Sequence, residues 1–118
     1  MLSGVTTSMA RFTAMHGKAV APVSDGDREI YERVHDHYEL HGHFQEGSPQ
    51  SKQVPGEFID RFAIIGPPQV CIDRLRALTE LGVERFVISG PSPLTTPELA
   101  FAADEAFSTQ VMPALRQG

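Results

Sequence analysis

The chain has 118 residues, a length that suits one domain with a core of its own. Hydrophobic residues make up 41% and charged residues 21%, a globular composition that excludes the disordered and fibrous classes. The formal net charge is −5 and the 10 lysines and arginines are scattered, so the basic stripe that nucleic-acid binding requires is missing.

The cysteine count and the lack of long apolar runs indicate a compartment. Cys71 is the single cysteine, so no internal disulfide can form and a reducing environment suits the chain. The N-terminus lacks the basic start and apolar stretch of a signal peptide. No apolar run approaches the ~20 residues that cross a bilayer. We therefore expect a soluble, cytoplasmic protein with no membrane partner.

The first residues show helical periodicity. Leu2, Val5, Met9 and Phe12 recur every three or four positions, which predicts a helix over residues 2–15. Its apolar side chains are expected to face a core or an interface. No capping residue precedes the helix, which is the pattern expected of a truncated chain.

A second helix is predicted to begin at Ser24 and to end near Gly42. Ser24 and Asp27 form a start similar to a capping box, with acidic charge at the positive end of the helix dipole. The apolar residues of this helix recur every four positions and form a narrow stripe: Ile30, Val34 and Tyr38. Residues 43–55 are polar and without periodicity, which predicts a loop on or near a functional face.

The second half of the chain alternates short apolar runs with helical patterns. The predicted elements are a helical turn at 57–61, a strand at 62–65, a helix at 67–81, a strand at 83–89 and a helix at 96–113. The residues expected to face inward on the two helices are Val70, Ile72, Leu75, Leu78 and Leu81, then Leu99, Ala103, Phe107 and Val111. This order predicts a parallel β-α-β unit followed by a terminal helix, and so an α/β fold preceded by two helices.

Two strands do not make a stable sheet. Parallel strands are normally buried on both faces, and each of these two would leave an open edge. A sheet this small is not stable alone. We therefore expect the rest of the sheet to come from a longer polypeptide or from another chain.

Three segments carry a family resemblance: residues 61–68, 71–75 and 81–88. They show a strand, a Gly-Pro-Pro turn, a helix and a Gly-Val-Glu-Arg-Phe-Val strand. They resemble the C-terminal part of the luciferase-like monooxygenase family, and the likeness spans residues 58–116. Members that use the deazaflavin coenzyme are the most similar, since a His-rich helix and a Pro-x-Glu-Phe-Ile-Asp-Arg-Phe lead-in, here residues 55–62, also occur in them.

The resemblance implies that the chain is the C-terminal part of a (β/α)8 barrel of the TIM type. Residues 1–55 would then form a helical segment with a polar loop, and residues 56–118 the last two strand–helix units. The family uses FMN or a deazaflavin coenzyme to transfer hydride, or to activate oxygen, on small organic substrates. The first six strands, which carry most of the family's cofactor contacts, are absent. The isolated chain is therefore expected to bind little cofactor and to be inactive.

Four histidines lie close together in the sequence: His35, His37, His41 and His43. His37 and His41 are four positions apart and share a helix face, as a pair of metal ligands does. No third ligand stands at a suitable spacing, so no metal site is predicted. In the resembling family this region lies near the substrate mouth, where His37 or His41 would orient a substrate or act as acid or base. The sequence favours a third interpretation, in which they are surface histidines without a chemical role.

The turns after the two predicted strands are candidates for cofactor binding. Gly66 and Gly90 allow a close backbone approach, but the two prolines after Gly66 remove amides that would bind an anion. Ser89, Gly90 and Ser92 keep their amides and add hydroxyl groups, so they are predicted to line the cofactor site. Cys71 has no partner base and is predicted to be an inert, packed thiol.

Two functions of different classes remain open. The chain is either the C-terminal fragment of a flavin- or deazaflavin-dependent oxidoreductase, or a non-enzymatic oligomerising binding module that completes its sheet by self-association. Both hypotheses predict a homo-oligomer or a missing part of a longer chain. The first adds a small-molecule substrate as a partner.

Overall fold

The computed structural model describes residues 2–91 and 95–117. The chain forms two compact units, Met1–Ala63 and Ile64–Gly118, which are called the first and the second unit below. Within the described ranges every regular element is a helix or a helical turn, and no strand occurs. The predicted α/β fold, with a parallel β-α-β unit from a TIM-type barrel, is therefore wrong.

The first unit contains three α-helices and three 3₁₀ turns. The helices are α1 (Leu2–Ala10), α2 (Asp25–Asp36) and α3 (Gly56–Phe62), and the turns are Arg11–Ala14, Leu40–Gly42 and Gln50–Gln53. The helix predicted over residues 2–15 is confirmed, because α1 continues directly into the first 3₁₀ turn. The predicted start of α2 is confirmed as well, because the Ser24 hydroxyl accepts a hydrogen bond of 3.2 Å from the Asp27 amide.

The buried face of α1 differs from the predicted one. Leu2, Met9 and Phe12 are 42%, 45% and 53% exposed. The buried residues of the helix are small instead: Gly4, Thr6, Thr7, Ser8 and Ala10. The cause is a close approach, because a Cβ atom at Gly4 would lie 2.7 Å from the carbonyl oxygen of Phe44. Only small side chains permit this packing distance, so it overrides the apolar periodicity of the helix.

The core of the first unit is drawn from α2, α3 and the segment that joins α1 to α2. Its buried apolar residues are Ala10, Ala14, Ala19, Ile30, Tyr31, Val34, Val54 and Phe58. The Tyr31 ring packs edge-on against Phe58 with centroids 5.2 Å apart, and the Phe58 ring stacks on that of Phe62 at 5.6 Å. Two residues of the predicted stripe of α2 are thus buried, and Tyr38 is half-buried against the same core.

The described residues of the second unit, 64–91 and 95–117, form three further α-helices. They are α4 (Pro68–Glu80), α5 (Pro97–Ala106) and α6 (Met112–Arg116), with a π-helical turn at Phe107–Val111. The predicted ends of α4 are confirmed, because it begins at Pro68 and the following Gly82 has a φ of +91°. None of the helices in residues 2–91 and 95–117 combines the length and the apolar character needed to cross a bilayer.

The end of the last helix differs from the prediction. The Thr96 hydroxyl accepts a hydrogen bond of 3.4 Å from the Leu99 amide, which confirms the predicted start. Pro113 was expected to end the helix, but the chain stays helical to Arg116. Proline has no amide hydrogen and its ring clashes with the carbonyl group four residues earlier. The wider π-helical turn just before it accommodates the proline without ending the helix.

The core of the second unit is small. Its buried residues are Ile72, Leu75 and Val111. Several positions that were predicted to face inward are exposed instead, with exposed fractions of 41% at Val70, 82% at Leu81 and 60% at Leu99. The predicted inward face is confirmed in part for α4, where Ile72 and Leu75 are buried, but it is wrong for α5, in which no residue is buried.

Both predicted strands are absent from the described part of the chain. Phe62 is the last residue of α3, and residues 63–65 and 83–90 have no regular structure. Apolar composition suits a strand, but a strand forms only where a neighbour pairs with its backbone. Here the side chains of Ile64 and Phe86 instead pack against the helical core of the second unit. These segments are thus held by the packing of single side chains, and no sheet forms within the described residues.

Candidate functional site

A pocket of about 250 Å³ lies in the first unit. It is lined by Arg11, Met15, His35 and Tyr38. The 3₁₀ turn after α1 places Arg11, and Met15 follows directly after that turn. His35 lies in the last turn of α2, and Tyr38 follows two residues after the helix ends. The pocket therefore forms where the end of α1 and the end of α2 approach each other.

Arg11 is held by aromatic rings rather than by an acid. Its guanidinium carbon lies 4.6 Å from the ring centroid of Tyr38 and 5.2 Å from that of Phe12. Such cation–π contacts contribute about 0.5–2 kcal/mol each. The Nε atom of Arg11 is buried and has no hydrogen-bond partner among the described residues. A buried donor without an acceptor lowers the stability of the folded state by about 1–3 kcal/mol, so the unpaired Nε–H group of Arg11 is destabilising.

Tyr38 is oriented by its neighbours. Its hydroxyl group hydrogen-bonds to Nδ1 of His43, and the two rings meet edge-on with centroids 6.0 Å apart. The His43 ring in turn packs against Phe44 at 4.1 Å. Phe44 has a φ of +60°, and its amide donates a hydrogen bond of 2.9 Å to the Ser8 hydroxyl of α1. The loop that follows α2 is thereby attached to α1, which keeps the Tyr38 ring over Arg11.

A buried glutamine holds the chain just after Tyr38. The side chain of Gln50 is fully buried. Its Oε1 accepts a hydrogen bond of 3.2 Å from the Glu39 amide, and its Nε2 donates one of 3.0 Å to the Glu39 carbonyl. One side chain thus satisfies both backbone groups of Glu39, as a neighbouring strand would. This pairing positions the segment that carries the pocket's tyrosine.

An ionised carboxylate anchors the other side of the same loop. Glu46 accepts hydrogen bonds of 2.5 Å from the Ser3 hydroxyl and 2.9 Å from the Gly4 amide near the N-terminus of α1. Partial burial raises the pKa of Glu46, but hydrogen bonds that include those from Ser3 and Gly4 outweigh it and lower the pKa below its usual value. The negative charge lies at the positive end of the helix dipole, where it is stabilised.

The second polar group of the pocket is the imidazole of His35. Its Nδ1 lies 3.3 Å from the carboxylate oxygen Oδ1 of Asp36. The ring also lies against Gly17, because a Cβ atom there would be 3.5 Å from its Cε1. That distance is an ordinary van der Waals contact, and it is the φ of +84° at this position that favours glycine. The pocket thus offers a guanidinium and an imidazole beside the Tyr38 ring and the Met15 side chain.

The two histidines singled out in the sequence lie outside the pocket lining. Nδ1 of His37 lies 2.8 Å from the Arg33 carbonyl oxygen, so this ring closes the C-terminal end of α2. His41 lies in the 3₁₀ turn Leu40–Gly42 with an exposed side chain. Because α2 ends at Asp36, the two residues do not share the helix face on which the pair was predicted. In the described ranges no three side chains of the metal-binding types are grouped around a common point.

The predicted cofactor residues lie in the second unit. Ser89 and Gly90 are exposed and follow one another in the stretch without regular structure. Gly66 has a φ of +147°, and its carbonyl oxygen lies 3.5 Å from the Cys71 sulfur, which donates to it. Cys71 is half-buried against the core of this unit. Ser92 lies outside the described residues. Cofactor binding by the four predicted cofactor residues stays a prediction.

Arg11, the cation of the pocket, was not among the site residues predicted from the sequence. Arg11 adjoins Phe12 at the end of a predicted apolar helix, and Tyr38 was assigned to a buried stripe. Helical spacing describes each helix separately and contains no signal that these two residues meet. The crowding of histidines after residue 34 was the one usable sign, since His35 and His43 do belong to the pocket or its support.

Comparison with protein-family models, with curated proteins and with solved structures gave no match for this chain. The pocket described above and the predicted resemblance of residues 58–116 concern different units of the chain. The resemblance falls mainly on the second unit, and the pocket lies in the first.

Proposed function

We propose that the chain contributes part of a flavin- or deazaflavin-dependent oxidoreductase of the luciferase-like family, acting on a small organic substrate by hydride transfer or monooxygenation. The resemblance of residues 58–116 supports this proposal. The correction of the fold limits it, because the chain as described carries no sheet. We therefore propose that the chain contributes a segment whose exposed apolar side chains are covered by other polypeptide.

The observation that carries the proposal is the apolar stretch after α4. Val87 is 98% exposed, and Val83 and Ile88 are 38% and 48% exposed, in a segment without regular structure. Burial of apolar surface is worth about 25 cal/mol per Å², so three such side chains in water favour association with a covering surface. Ser89 and Gly90 follow directly, so the covering polypeptide would also meet the two predicted cofactor residues.

The residues present do not form a cofactor site by themselves. A bound flavin or deazaflavin supplies the hydride chemistry, and the protein must hold it through several convergent donors. Ser89 and Gly90 offer one hydroxyl and two amides from an exposed stretch, and Pro67 and Pro68 lack the amide hydrogens that would help at Gly66. We therefore expect the isolated chain to be inactive and most cofactor contacts to come from elsewhere.

Two further elements belong to the same proposal. His41, with its exposed imidazole, is better placed than His37 to handle a proton, because the His37 ring is engaged with the Arg33 carbonyl. A cytoplasmic location fits the free thiol of Cys71, which a reducing compartment preserves. Nucleic acid and membranes are not among the proposed partners.

The test compares the 118-residue chain with the longest uninterrupted reading frame that encodes it. Each is titrated with FMN and with the deazaflavin coenzyme, and binding is followed by cofactor fluorescence. We expect stoichiometric binding of one cofactor by the longer chain and little by the shorter. A longer chain that binds neither cofactor would contradict the proposal, as would tight binding by the 118-residue chain alone.

A pair of matched variants sharpens that test. Val87→Asp in the longer chain places a charge in the apolar stretch and is expected to weaken cofactor binding at least about tenfold. Val20 is 81% exposed in the first unit, and Val20→Asp serves as the control with no expected effect. Equal cofactor affinity in both variants would mean that the apolar stretch does not contribute to cofactor binding.

A second function is favoured by the same exposed side chains. In this alternative the chain is a non-enzymatic module, and copies of it cover the apolar stretches of one another. Because the described residues contain no sheet, self-association would bury side chains rather than complete a sheet. Light scattering of the cofactor-free chain distinguishes the two: a folded dimer that Val87→Asp dissociates, and Val20→Asp does not, would favour the module.

A further inference from the structure

We propose that the pocket around Arg11 binds an oxyanion, namely the carboxylate or phosphate group of a small organic molecule. This inference does not depend on the oxidoreductase proposal, because it concerns the first unit alone. It starts from Arg11, a cation in the pocket lining whose guanidinium forms no ion pair or hydrogen bond within the described part of the chain. Its Nε atom is buried, so a ligand would bond to the terminal nitrogens of the guanidinium.

The charge of Arg11 is not neutralised within the described residues. The chain holds 15 acidic residues, yet the ion pairs among the described residues, which include Arg33–Glu29, Arg61–Asp27 and His35–Asp36, do not involve Arg11. A guanidinium that contacts two ring faces and no carboxylate keeps its donors for another acceptor. Guanidinium groups match carboxylate and phosphate oxygens through two parallel hydrogen bonds, which makes an oxyanion the fitting ligand.

The site is held in place before any ligand binds. The Tyr38 ring lies 4.6 Å from the guanidinium carbon, and its hydroxyl is already bonded to His43. Gln50 holds the backbone next to Tyr38 through its two bonds to Glu39. Because these contacts restrict the rings and the arginine, binding orders few further groups, which favours affinity.

Pocket size and lining narrow the class of ligand. A volume of about 250 Å³ is below the range of roughly 300–1,000 Å³ that holds drug-sized ligands. Met15 and the Tyr38 ring provide an apolar wall for the body of a small acid, and His35 provides a second polar group. Asp36 lies 3.3 Å from the His35 ring, and its negative charge disfavours a dianion. We therefore expect a monoanionic carboxylate with an apolar body to bind more tightly than phosphate.

The experiment titrates the 118-residue chain with sodium benzoate, sodium acetate and inorganic phosphate at constant ionic strength set with sodium chloride. Binding is followed by NMR through the Met15 methyl group and the rings of His35 and Tyr38. We expect saturable shifts of these signals, with a Kd for benzoate on the order of a millimolar and weaker binding of acetate. Tighter binding of phosphate would assign the site to phosphate-bearing ligands, and the oxyanion proposal would stand.

Variants of Arg11 test the role of the guanidinium. Arg11→Met keeps an unbranched, flexible side chain but removes the charge and all the donors, and is expected to weaken benzoate binding at least about tenfold. Arg11→Lys keeps the charge but not the two-pronged geometry, and an intermediate loss is expected. Arg33→Met removes a cation from the same unit outside the pocket lining, and the benzoate affinity should be unchanged.

Three results would overturn the proposal. The first is the absence of saturable shifts in the unmodified chain. The second is a benzoate affinity of Arg11→Lys equal to that of the unmodified chain, a result that stands even if Arg11→Met does not fold. The third is an equal loss of affinity in Arg33→Met, which would indicate unspecific attraction by net charge. Each result is independent of flavin or deazaflavin binding, so failure here leaves the oxidoreductase proposal to its own test.

Discussion

The two units of the chain bury their side chains in different ways. Among the described residues, the first unit encloses eight apolar residues together with six buried polar ones, and most of these polar groups bond to each other or to the backbone. The described part of the second unit encloses three buried residues. Both units leave large apolar side chains exposed, such as Val20 and Leu40 in the first and Val87 and Leu81 in the second. The difference therefore lies in the size of the core and in the buried polar groups that accompany it in the first unit.

The largest expected effect breaks the core of the first unit. Phe58 is 2% exposed and its ring contacts Tyr31 and Phe62, so Phe58→Ala should lower the free energy of unfolding by about 3–5 kcal/mol. Phe101 in the second unit is 69% exposed, and Phe101→Ala should change it by less than about 0.5 kcal/mol. Urea unfolding followed by circular dichroism measures both. Similar losses in the two variants would mean that the units do not differ in burial.

The next effect concerns the polar interior of the first unit. Gln50→Ala leaves both backbone groups of Glu39 without partners and should cost about 2–3 kcal/mol of the free energy of unfolding. Gln53 is half-exposed and donates one hydrogen bond to the Pro49 carbonyl, so Gln53→Ala is the matched control and should cost about 1 kcal/mol or less. Hydrogen exchange at the Glu39 amide should rise in the first variant only. If it stays protected, another group replaces the glutamine.

A smaller effect tests the close approach of α1 to the loop after α2. A Cβ atom at Gly4 would lie 2.7 Å from the Phe44 carbonyl oxygen, so Gly4→Ala should cost about 1–3 kcal/mol of the free energy of unfolding. Gly26 in α2 has no atom within 4 Å of such a Cβ, and Gly26→Ala should raise the same quantity by about 0.5 kcal/mol. Thermal unfolding of the two variants should therefore shift in opposite directions. Shifts of one sign would contradict the packing described here.

The smallest effect is a pH dependence within the first unit. Arg61 donates a hydrogen bond of 2.5 Å to Asp27 and thereby lowers the pKa of that carboxyl, against a smaller opposing effect of burial. Because the folded pKa lies below the unfolded one, the pair stabilises the fold above about pH 4 and the contribution is lost as the pH falls further. Asp27→Asn should reduce the loss of stability in acid. Asp60→Asn removes an acid of α3 that is not part of this pair, and this variant should lose stability in acid as the unmodified chain does. Equal pH profiles for both variants would exclude the Arg61–Asp27 pair as the source of the acid dependence.

The sequence predicted the helices better than the fold. The cap at Ser24 was predicted, and so were the start of the last helix at Thr96 and the end of α4 near residue 81. These signals are local, because the cap bonds the amide three residues later in the same turn. The predicted strands failed because a strand depends on a partner elsewhere in the chain, and apolar composition at residues 62–65 and 83–89 contains no information on one.

The candidate site was less predictable than the helices. The histidine-rich region was recognised, but His37 and His41, the pair chosen from it, lie outside the pocket lining, and the lining residue is His35. The end of α2 at Asp36, earlier than predicted, removes the shared helix face on which the pair was based. Arg11 was not considered, since an arginine beside an apolar stripe is ordinarily a solvated residue.

The sequence by itself determined where the helices begin and which segments are apolar, because capping, helical periodicity and proline geometry act within a few residues. Only the tertiary structure decided that α1 buries Gly4 and Ser8 instead of its apolar stripe, since the packing distance to the loop selects small side chains. It also decided that the guanidinium of Arg11 lies against the Tyr38 ring and forms no ion pair within the described residues. This contact between Arg11 and Tyr38 depends on how two helix ends and a loop pack together, and the spacing of residues along the chain does not predict it.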